Sequence, residues 1–331
     1  MRPLISFSAT KRLHPGWLRL AVFILMVAAC PVRSPAADAP PIRMAYLQND
    51  LHHLALWVAL DLGYFQEEGI AVEVAGIFRT GPEIMTAFGA GVLDAAYVGQ
   101  APATIAAARG TARLRVLAQA NTEGSALVVS SALASGMKKD PTLAMPGNGT
   151  VQDLLLQKAL AGLGLAAQSA STIVLSPPEM LTALQVGQID GFVAWEPYPS
   201  LAVALGIGRI QATSAEIWPG HPCCVLVASE AFMDARPVDG RALLRAHERA
   251  TAFINAHPDE AVAIAVKYTG MDQAVVRQAL SRVTYTDRSS VAGEEEFVTF
   301  LGALGYINKV GDPNAFTRAF LGNEVGRDAG K

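Results

Sequence analysis

Cysteine is scarce in this chain, which has three in 331 residues, and two of the three, Cys223 and Cys224, are neighbours. So few thiols exclude the disulfide framework that stabilises small secreted domains. Apolar runs are short as well, since the longest is Leu20–Ala29 near the N-terminus. Outside this run, no stretch approaches the length and apolar content needed to span a bilayer. The chain is therefore expected to fold around a hydrophobic core, with one large or two medium domains.

Motifs of several enzyme classes are missing too. The glycine-rich turns contain neither GxGxxG nor GxxxxGK[ST], so they do not match a nucleotide-binding loop. No GxSxG motif marks a nucleophilic serine, and the scattered serines, histidines and aspartates form no catalytic set. We therefore predict no catalytic residues and no cofactor.

The N-terminal segment has the composition of an export signal. Four basic residues within the first 19 precede the apolar run Leu20–Ala29, whose length suits a secretory signal and is too short for a membrane span. We expect residues 1–29 to be removed and residues 30–41, rich in Pro and Ala, to form a tether. The four residues that end at Cys30 resemble a lipobox, which would make Cys30 a lipid-modified N-terminus. Cleavage between Ala36 and Ala39 would instead release a free periplasmic protein.

Charge argues against several partners. Residues 1–29 carry four positive and no negative side chains, so their removal takes the net charge from −3 to −7. An acidic surface disfavours binding to nucleic acid or to an anionic membrane face. Contact with the membrane is expected only through a lipid anchor.

From residue 42 onward, strand-like and helix-like segments alternate. Ile70, Val72 and Val74 recur with the period of two typical of a strand, whereas residues 81–91 have Pro near the start and Gly near the end, as helices do. This alternation predicts an α/β fold with mostly parallel sheets. The predicted strands are 42–47, 70–77, 94–99, 113–120, 125–130, 141–146, 172–177, 189–195, 208–214 and 223–229. The predicted helices are 54–65, 81–91, 101–110, 147–165, 178–188, 196–206 and most of 238–331.

An internal sequence repeat indicates two similar halves. Residues 82–102 and 178–197 share a layout of Pro-Glu, amphipathic helix, glycine turn, Asp, strand and Pro-containing loop. Two lobes of like construction would produce this repeat.

Two glycine-containing loops are the first candidates for ligand binding. In open α/β sheets, ligands bind beyond the carboxyl ends of the strands, where helix N-termini point. Residues 80–82 and 147–150 each open a helix there, and free backbone N–H groups at such starts suit an anion. Ordinary capping by Thr or Asn would explain the same residues. The candidate ligand-binding residues are His53, Thr80, Gly81, Tyr97, Gln100, Asn121, Asn148, Gly149, Thr150, Trp195, Glu196, Tyr198 and His221.

Among these candidates, WEPY (195–198) is the most distinctive local sequence. Trp195 and Tyr198 offer flat apolar walls and Glu196 a carboxylate, as small-ligand clefts require. The alternative is that the Trp fills the core and Glu196 caps the next helix.

Cysteine and histidine near GHPCC (220–224) raise the question of a soft metal. Adjacent strand residues point to opposite faces, so the sulfurs of Cys223 and Cys224 are not expected to reach one ion. His52 and His53 make no site without further ligands. We predict no metal site and interpret the cysteines as small buried hydrophobic residues.

Three segments carry a resemblance to a known family. They include LGYFQEEGI, the G-x-x-D turn and WEP, within residues 41–74, 81–102 and 178–202. Together they resemble the NMT1/SsuA/TauA-like ABC substrate-binding proteins, which bind nitrate, taurine, alkanesulfonates or thiamine pyrimidine precursors. The connector at 134–142 and the Cys pair depart from the family pattern.

The resemblance implies a type II periplasmic-binding-protein fold, with one lobe formed by 42–127 and 223–331, the other by 128–222, and a two-segment hinge. It also implies an ABC permease and its ATPase as partners, and capture of a small sulfonate-, nitrate- or taurine-like molecule outside the cytoplasm.

Other functions remain open at this point. The ligand could be a thiamine pyrimidine precursor or another nitrogen heterocycle, and the protein could signal to a membrane receptor instead of feeding a permease. Eukaryotic pyrimidine synthases resemble this group and carry a cysteine-rich motif. GHPCC is similar to that motif in its neighbouring cysteines. Those enzymes act inside cells, whereas this chain begins with an export signal, so we predict a binding protein and not an enzyme.

Overall fold

The computed structural model describes residues 39–131, 140–162, 170–308 and 310–322. The predicted export signal, Cys30 and most of the tether lie outside these residues, as does most of the connector at 134–142.

Within the described residues, eleven strands alternate with helices over most of the chain. The strands are β1 Ile42–Leu47, β2 Val72–Phe78, β3 Ala95–Gly99, β4 Leu114–Glu123, β5 Ser125–Ser130, β6 Thr142–Met145, β7 Ser171–Val174, β8 Gly191–Trp195, β9 Gly208–Thr213, β10 Pro222–Ser229 and β11 Val283–Tyr285. The helices are α1 Leu54–Asp61, α2 Tyr64–Glu67, α3 Gly81–Gly89, α4 Gln100–Arg109, α5 Val151–Gly162, α6 Pro177–Gln185, α7 Tyr198–Ala204, α8 Ser214–Ile217, α9 Glu230–Ala235, α10 Pro237–Ala256, α11 Pro258–Thr269, α12 Gln273–Leu280, α13 Val291–Ala303 and α14 Pro313–Leu321, and a 3₁₀ turn spans Leu51–His53.

The strands form two sheets. The first has the order β11-β4-β10-β3-β1-β2, and the second has the order β7-β6-β8-β5-β9. In the first sheet β1 pairs in parallel with β2 and β3, and β10 runs antiparallel between β3 and β4. In the second, β6 pairs in parallel with β7 and β8, and β5 runs antiparallel between β8 and β9. In each sheet an antiparallel strand, β10 in the first and β5 in the second, enters directly after the chain has crossed from the other sheet; in the first sheet β11 also pairs antiparallel with β4.

The sequence repeat has a structural counterpart in this arrangement. The first copy forms α3, β3 and α4, and the second forms α6, β8 and α7 at the corresponding places of the two sheets. Glu83 and Glu179 each accept hydrogen bonds from backbone N–H groups at the start of their helix. The shared Pro-Glu therefore encodes two equivalent helix starts.

The chain crosses between the sheets twice. The first crossing is the short link from β4 to β5 at Gly124, and the second runs from β9 through α8 to β10. Glu123 joins them, because its backbone N–H donates to His221 O (3.2 Å) and its side chain accepts from Gly220 N (2.9 Å). Gly124 adopts φ +81°, and a Cβ there would lie 2.4 Å from the His52 ring. Glycine is required at this crossing for both reasons.

The apolar core accounts for the local sequence of α1. All six residues from Leu54 to Ala59 are buried, and Trp57 stacks on Tyr268 with ring centroids 5.4 Å apart. The helix ends before Gly63, whose φ of 74° breaks the predicted single helix 54–65 into α1 and α2. None of the described helices has the length and apolar content needed to cross a bilayer.

Candidate ligand-binding cleft

The carboxyl ends of the central strands of both sheets face a common cavity. Its volume is about 10 Å³, room for about one water molecule. Thr150, Val151 and Gln152 approach from the start of α5, and Trp195 from the end of β8. The remaining lining residues, Leu47, Asp50, Gly81, Gly99, Pro102 and Cys224, belong to the first sheet and its loops. Residues attached to both sheets therefore enclose one small internal space.

A larger cavity of about 230 Å³ adjoins this space through Trp195, which lines both. The first sheet contributes Gln48 and Arg79, and the second contributes Tyr198 and the start of α6 with Glu179. Arg79 is exposed, so its guanidinium is available at this mouth. The outer cavity thus has room for a ligand of a few heavy atoms beside Arg79, with the inner space directly behind it.

Two buried polar atoms at the inner cavity lack a hydrogen-bond partner among the described residues. They are the indole Nε1 of Trp195, a donor, and Oδ2 of Asp50, an acceptor. Burial raises the pKa of the Asp50 carboxyl to about 7. Buried polar groups are normally hydrogen-bonded, so these two atoms mark where a ligand could make polar contacts.

The predicted loop at 147–150 is divided between two places. Thr150 lines the inner cavity, whereas Asn148 and Gly149 line a separate groove of about 560 Å³ that also includes Arg109 and Tyr306. The Gly149 N–H donates to Asp153 Oδ2 (2.8 Å). A carboxylate of the chain therefore already occupies part of the helix N-terminus that we expected to face an anion.

The other predicted helix start fits the cleft better. Gly81 lines the inner cavity, next to Arg79 at the outer one. Thr80 N and Arg79 N both donate to Glu83, so Thr80 has the capping role that was the alternative interpretation.

Glu196 is held within the protein and does not line either cavity. Its side chain is fully buried; Oε1 accepts from Arg282 (3.0 Å) and Oε2 accepts from the backbone N–H of Ser200 (3.1 Å). The expectation that its carboxylate faces a ligand is therefore corrected: the helix-capping alternative describes its place. Trp195 and Tyr198, its neighbours in WEPY, do line the cleft.

Tyr97 and Gln100 lie in buried networks behind the cleft. Tyr97 Oη donates to His247 Nδ1 (2.8 Å), because His247 Nε2–H donates to the carbonyl of Gln119 (2.8 Å). Gln100 Nε2 donates to Glu294 (2.6 Å). Both side chains were expected at the ligand, but these partners give them a structural role, and neither lines the inner or the outer cavity.

His53, Asn121 and His221 also bond to the protein. His53 Nδ1 accepts from Leu47 N (3.1 Å), and burial with the neighbouring His52 charge holds the pKa of His53 well below its usual range. Asn121 Oδ1 accepts from Cys224 N (3.1 Å), and His221 Nδ1 lies 2.7 Å from Trp218 O. These three predicted site residues position the backbone around the cleft and do not line either cavity.

A cluster of metal-ligating types lies beside the inner cavity. His52 Nδ1 is 3.4 Å from Cys223 Sγ and 3.6 Å from Cys224 Sγ, and Asp50 Oδ1 is 3.4 Å from the same nitrogen. Burial lowers the pKa of His52, but the charges of Cys223 and Asp50 outweigh it and raise that pKa to about 10. All four side chains are buried.

The expectation that the two sulfurs face opposite ways is wrong here. The pairing of β10 with β4 shifts register on both sides of Cys224. A bulge breaks the alternation of side chains along a strand. Both thiols consequently approach one imidazole.

Several cleft residues were missed from the sequence. Asp50 and Gln48 lie in the loop after β1, and Arg79 in the loop after β2. Their position at the carboxyl ends of strands was a usable signal. Gln152 and Cys224 had no such signal, because only the packing of the two sheets brings them to the cavity.

Comparison with known proteins identifies the family. The model of the NMT1-like family matches residues 36–268. Over 232 residues, 64% of this chain, the sequence is 32% identical to the nitrate import ATP-binding protein NrtC of Synechococcus elongatus. The match covers 35% of that relative, so the chain corresponds to about a third of its length.

Two solved structures share the architecture. The periplasmic nitrate-binding protein NrtA of Synechocystis superposes with a TM-score of 0.77 at 18% identity, over 88% of each chain. The alkanesulfonate-binding protein SsuA of Xanthomonas axonopodis, with MOPS bound, gives a TM-score of 0.71 at 19% identity, over 83% of this chain and 96% of that one. Likeness at this level of identity establishes the fold. The chain belongs to the NMT1-like family and has the type II periplasmic-binding-protein fold.

Proposed function

We propose that this protein is the extracytoplasmic solute-binding component of an ABC importer. It captures a small nitrate-, sulfonate- or taurine-like compound and delivers it to a permease driven by an ATPase. The proposal rests on the cleft between the two sheets, supported by relatives named for nitrate import and by structural neighbours named for nitrate and alkanesulfonate binding.

The observation that supports an anion as the ligand is a pair of hydrogen-bond donors along the path into the cleft. Arg79 lines the outer cavity, and Trp195, whose buried Nε1–H has no hydrogen-bond partner among the described residues, lines both the outer and the inner cavity. A guanidinium and an indole N–H both donate and accept nothing. An oxyanion with several acceptor oxygens would satisfy both.

The proposed lobes are residues 42–127 with 223–331, and residues 128–222. Support comes from where the chain changes sheet, close to these limits: between β4, which ends at Glu123, and β5, which begins at Ser125, and again between β9, which ends at Thr213, and β10, which begins at Pro222. These two crossings would form the hinge. Ligand contacts from both lobes would favour the closed arrangement, since a ligand shifts the population toward the state it binds better.

Calorimetric titration of the purified protein with nitrate, taurine and short alkanesulfonates tests this function. We expect one of these anions to bind and Arg79→Gln to weaken that binding about tenfold, because a charge-assisted hydrogen bond is lost. Arg318→Gln, at an exposed arginine of α14, is the matched control and should bind as the wild type does. Absence of binding to the whole panel by folded protein would refute the proposed substrate class.

A nitrogen heterocycle is the second candidate ligand, favoured by Asp50. Its unpartnered Oδ2 at the inner cavity would accept a hydrogen bond from a ligand N–H. Titration with thiamine pyrimidine precursors in the same panel separates the two chemistries. Heterocycle binding that is unaffected by Arg79→Gln would favour this candidate over the anion.

Membrane attachment and transport need their own tests. We propose that Cys30 carries a lipid. Labelling with a fatty acid should mark the wild type and not Cys30→Ser, whereas secreted wild type without label would indicate the free periplasmic form.

Transport, as opposed to signalling, requires that the loaded protein stimulate ATP hydrolysis by the reconstituted permease and ATPase.

A further inference from the structure

The cysteine–histidine cluster of Asp50, His52, Cys223 and Cys224 has no role in the anion site proposed above. Cys223 and Cys224 are both free thiols and both buried. Their sulfurs and the ring nitrogen of His52 lie within 4.8 Å of one another. Two thiols and an imidazole gathered at one point are the donor set of zinc and related soft metals.

The observed separations match tetrahedral coordination. Zinc lies about 2.3 Å from thiolate sulfur and about 2.05 Å from imidazole nitrogen, so a tetrahedral angle places N and S about 3.6 Å apart. The His52 Nδ1 distances to the two sulfurs are 3.4 Å and 3.6 Å. The cluster therefore has the spacing that an ion would impose without rearrangement of the backbone.

The orientation of the imidazole is also fixed for this purpose. His52 Nε2–H donates to the carbonyl of Gly124 at 2.8 Å, which directs Nδ1 toward the sulfurs. Metal-ligating histidines commonly donate their other ring N–H to a carbonyl in this way. Gly124 is the crossing residue whose missing Cβ makes room for that ring.

Asp50 lies beside these three ligands. Its Oδ1 is 3.4 Å from His52 Nδ1, and a carboxylate oxygen of Asp50 lies within 4.8 Å of Cys224 Sγ. Its other oxygen, Oδ2, has no partner among the described residues and lies 3.6 Å from His53 Nε2. A carboxylate with an unsatisfied oxygen next to two thiols has the charge that a divalent cation would balance.

We propose that His52 Nδ1, Cys223 Sγ and Cys224 Sγ bind one thiophilic metal ion, with Asp50 beside the site as a carboxylate that balances its charge. Cys224 and Asp50 also line the inner cavity, so the ion would lie at the floor of the cleft. Binding displaces the protons carried by the sulfurs and by His52 Nδ1, so that both sulfurs coordinate as thiolates and His52 as a neutral imidazole.

Addition of Co²⁺ to the reduced, metal-free full-length protein tests the site. We expect one equivalent to bind and to produce a thiolate-to-cobalt charge-transfer band in the near ultraviolet, which Zn²⁺ then abolishes by displacement. Cys223→Ser and Cys224→Ser should each weaken the band and lower the affinity for Zn²⁺ at least tenfold in competition with a chromogenic chelator. Cys30→Ser, which removes the third cysteine, is the matched control and should behave as the wild type does.

X-ray absorption at the zinc edge of the loaded wild type gives a readout that does not depend on variants. Two sulfur neighbours are expected, with nitrogen or oxygen as the others. A fully reduced wild type without the cobalt band, or zinc surrounded by nitrogen and oxygen alone, would overturn the proposal. Anion titration of metal-free protein is measured separately, so either proposal can fail while the other stands.

Discussion

At the residue scale, the cleft is shaped by charged and polar side chains that the fold buries and pairs. Glu196 and Arg282 meet across 3.0 Å, and Glu294 accepts from Gln100 and Thr104. A buried carboxylate is tolerated only with such partners or with a proton. These residues join distant parts of the chain, so their partners could not be found by sequence spacing.

Glu294 makes stability depend on pH. Burial raises its pKa from 4.5 to about 8, so the folded state keeps a proton that the unfolded state releases above 4.5. Its contribution to stability is fully present below 4.5 and falls as pH rises toward 8, by about 1.4 kcal/mol per pH unit at most. Glu294→Gln should remove this slope in the free energy of unfolding measured in urea from pH 5 to pH 8.

Glu295→Gln on the same helix is the control and should keep the wild-type slope. Because other groups also titrate, the test is the difference between the two variants. Equal slopes in both would mean that Glu294 is ionised throughout this range.

At the element scale, the local sequence predicted those strands and helices that are encoded by hydrophobic periodicity and by helix-capping residues. The strand 125–130 has the predicted bounds, and α3 and α6 begin where Pro-Glu indicated. The three-residue β11 was missed because it is too short for a period of two and depends on pairing with the end of β4. The bulge at Cys224 was missed for a similar reason. A register shift is a property of two paired strands, so the sequence of one strand alone does not indicate it. The Asp50, His52 and Cys224 grouping depends on that bulge.

The start of α6 offers a test of how much its capping residues contribute to stability. Ser176 N donates to Glu179 Oε2 at 2.9 Å, and the Ser176 hydroxyl contacts the same oxygen at 2.5 Å. Ser176→Ala should lower the free energy of unfolding by about 1 kcal/mol, as loss of an N-cap does. Gln185→Ala, at the exposed far end of the helix, should change it by about 0.5 kcal/mol or less. A Ser176→Ala protein as stable as Gln185→Ala would show that the cap contributes little.

At the scale of the whole molecule, contacts between the two halves lie away from the ligand path. Glu296 of α13 contacts Lys158 of α5 (3.1 Å) and accepts a hydrogen bond from the indole N–H of Trp218 (3.1 Å). Tyr306, just after α13, donates to Asp153 of α5 at 2.5 Å. The family resemblance could predict two lobes and a cleft, but it could not predict these contacts, which depend on the surfaces of this chain. Because they join the two proposed lobes, we expect them to favour the closed arrangement.

Tyr306→Phe isolates one of these contacts. Loss of a hydrogen bond to a carboxylate is worth about 1.5 kcal/mol, so the ratio of closed to open protein should fall about tenfold, and the apparent affinity for ligand by up to the same factor. The substitution touches neither Arg79 nor Trp195, so the effect would act through closure alone. Calorimetric Kd values for the anion that binds the wild type provide the measurement. Tyr64→Phe, at a half-buried tyrosine of α2, is the control and should leave Kd unchanged. If Tyr306→Phe also left Kd unchanged, binding would not require the arrangement in which Tyr306 meets Asp153.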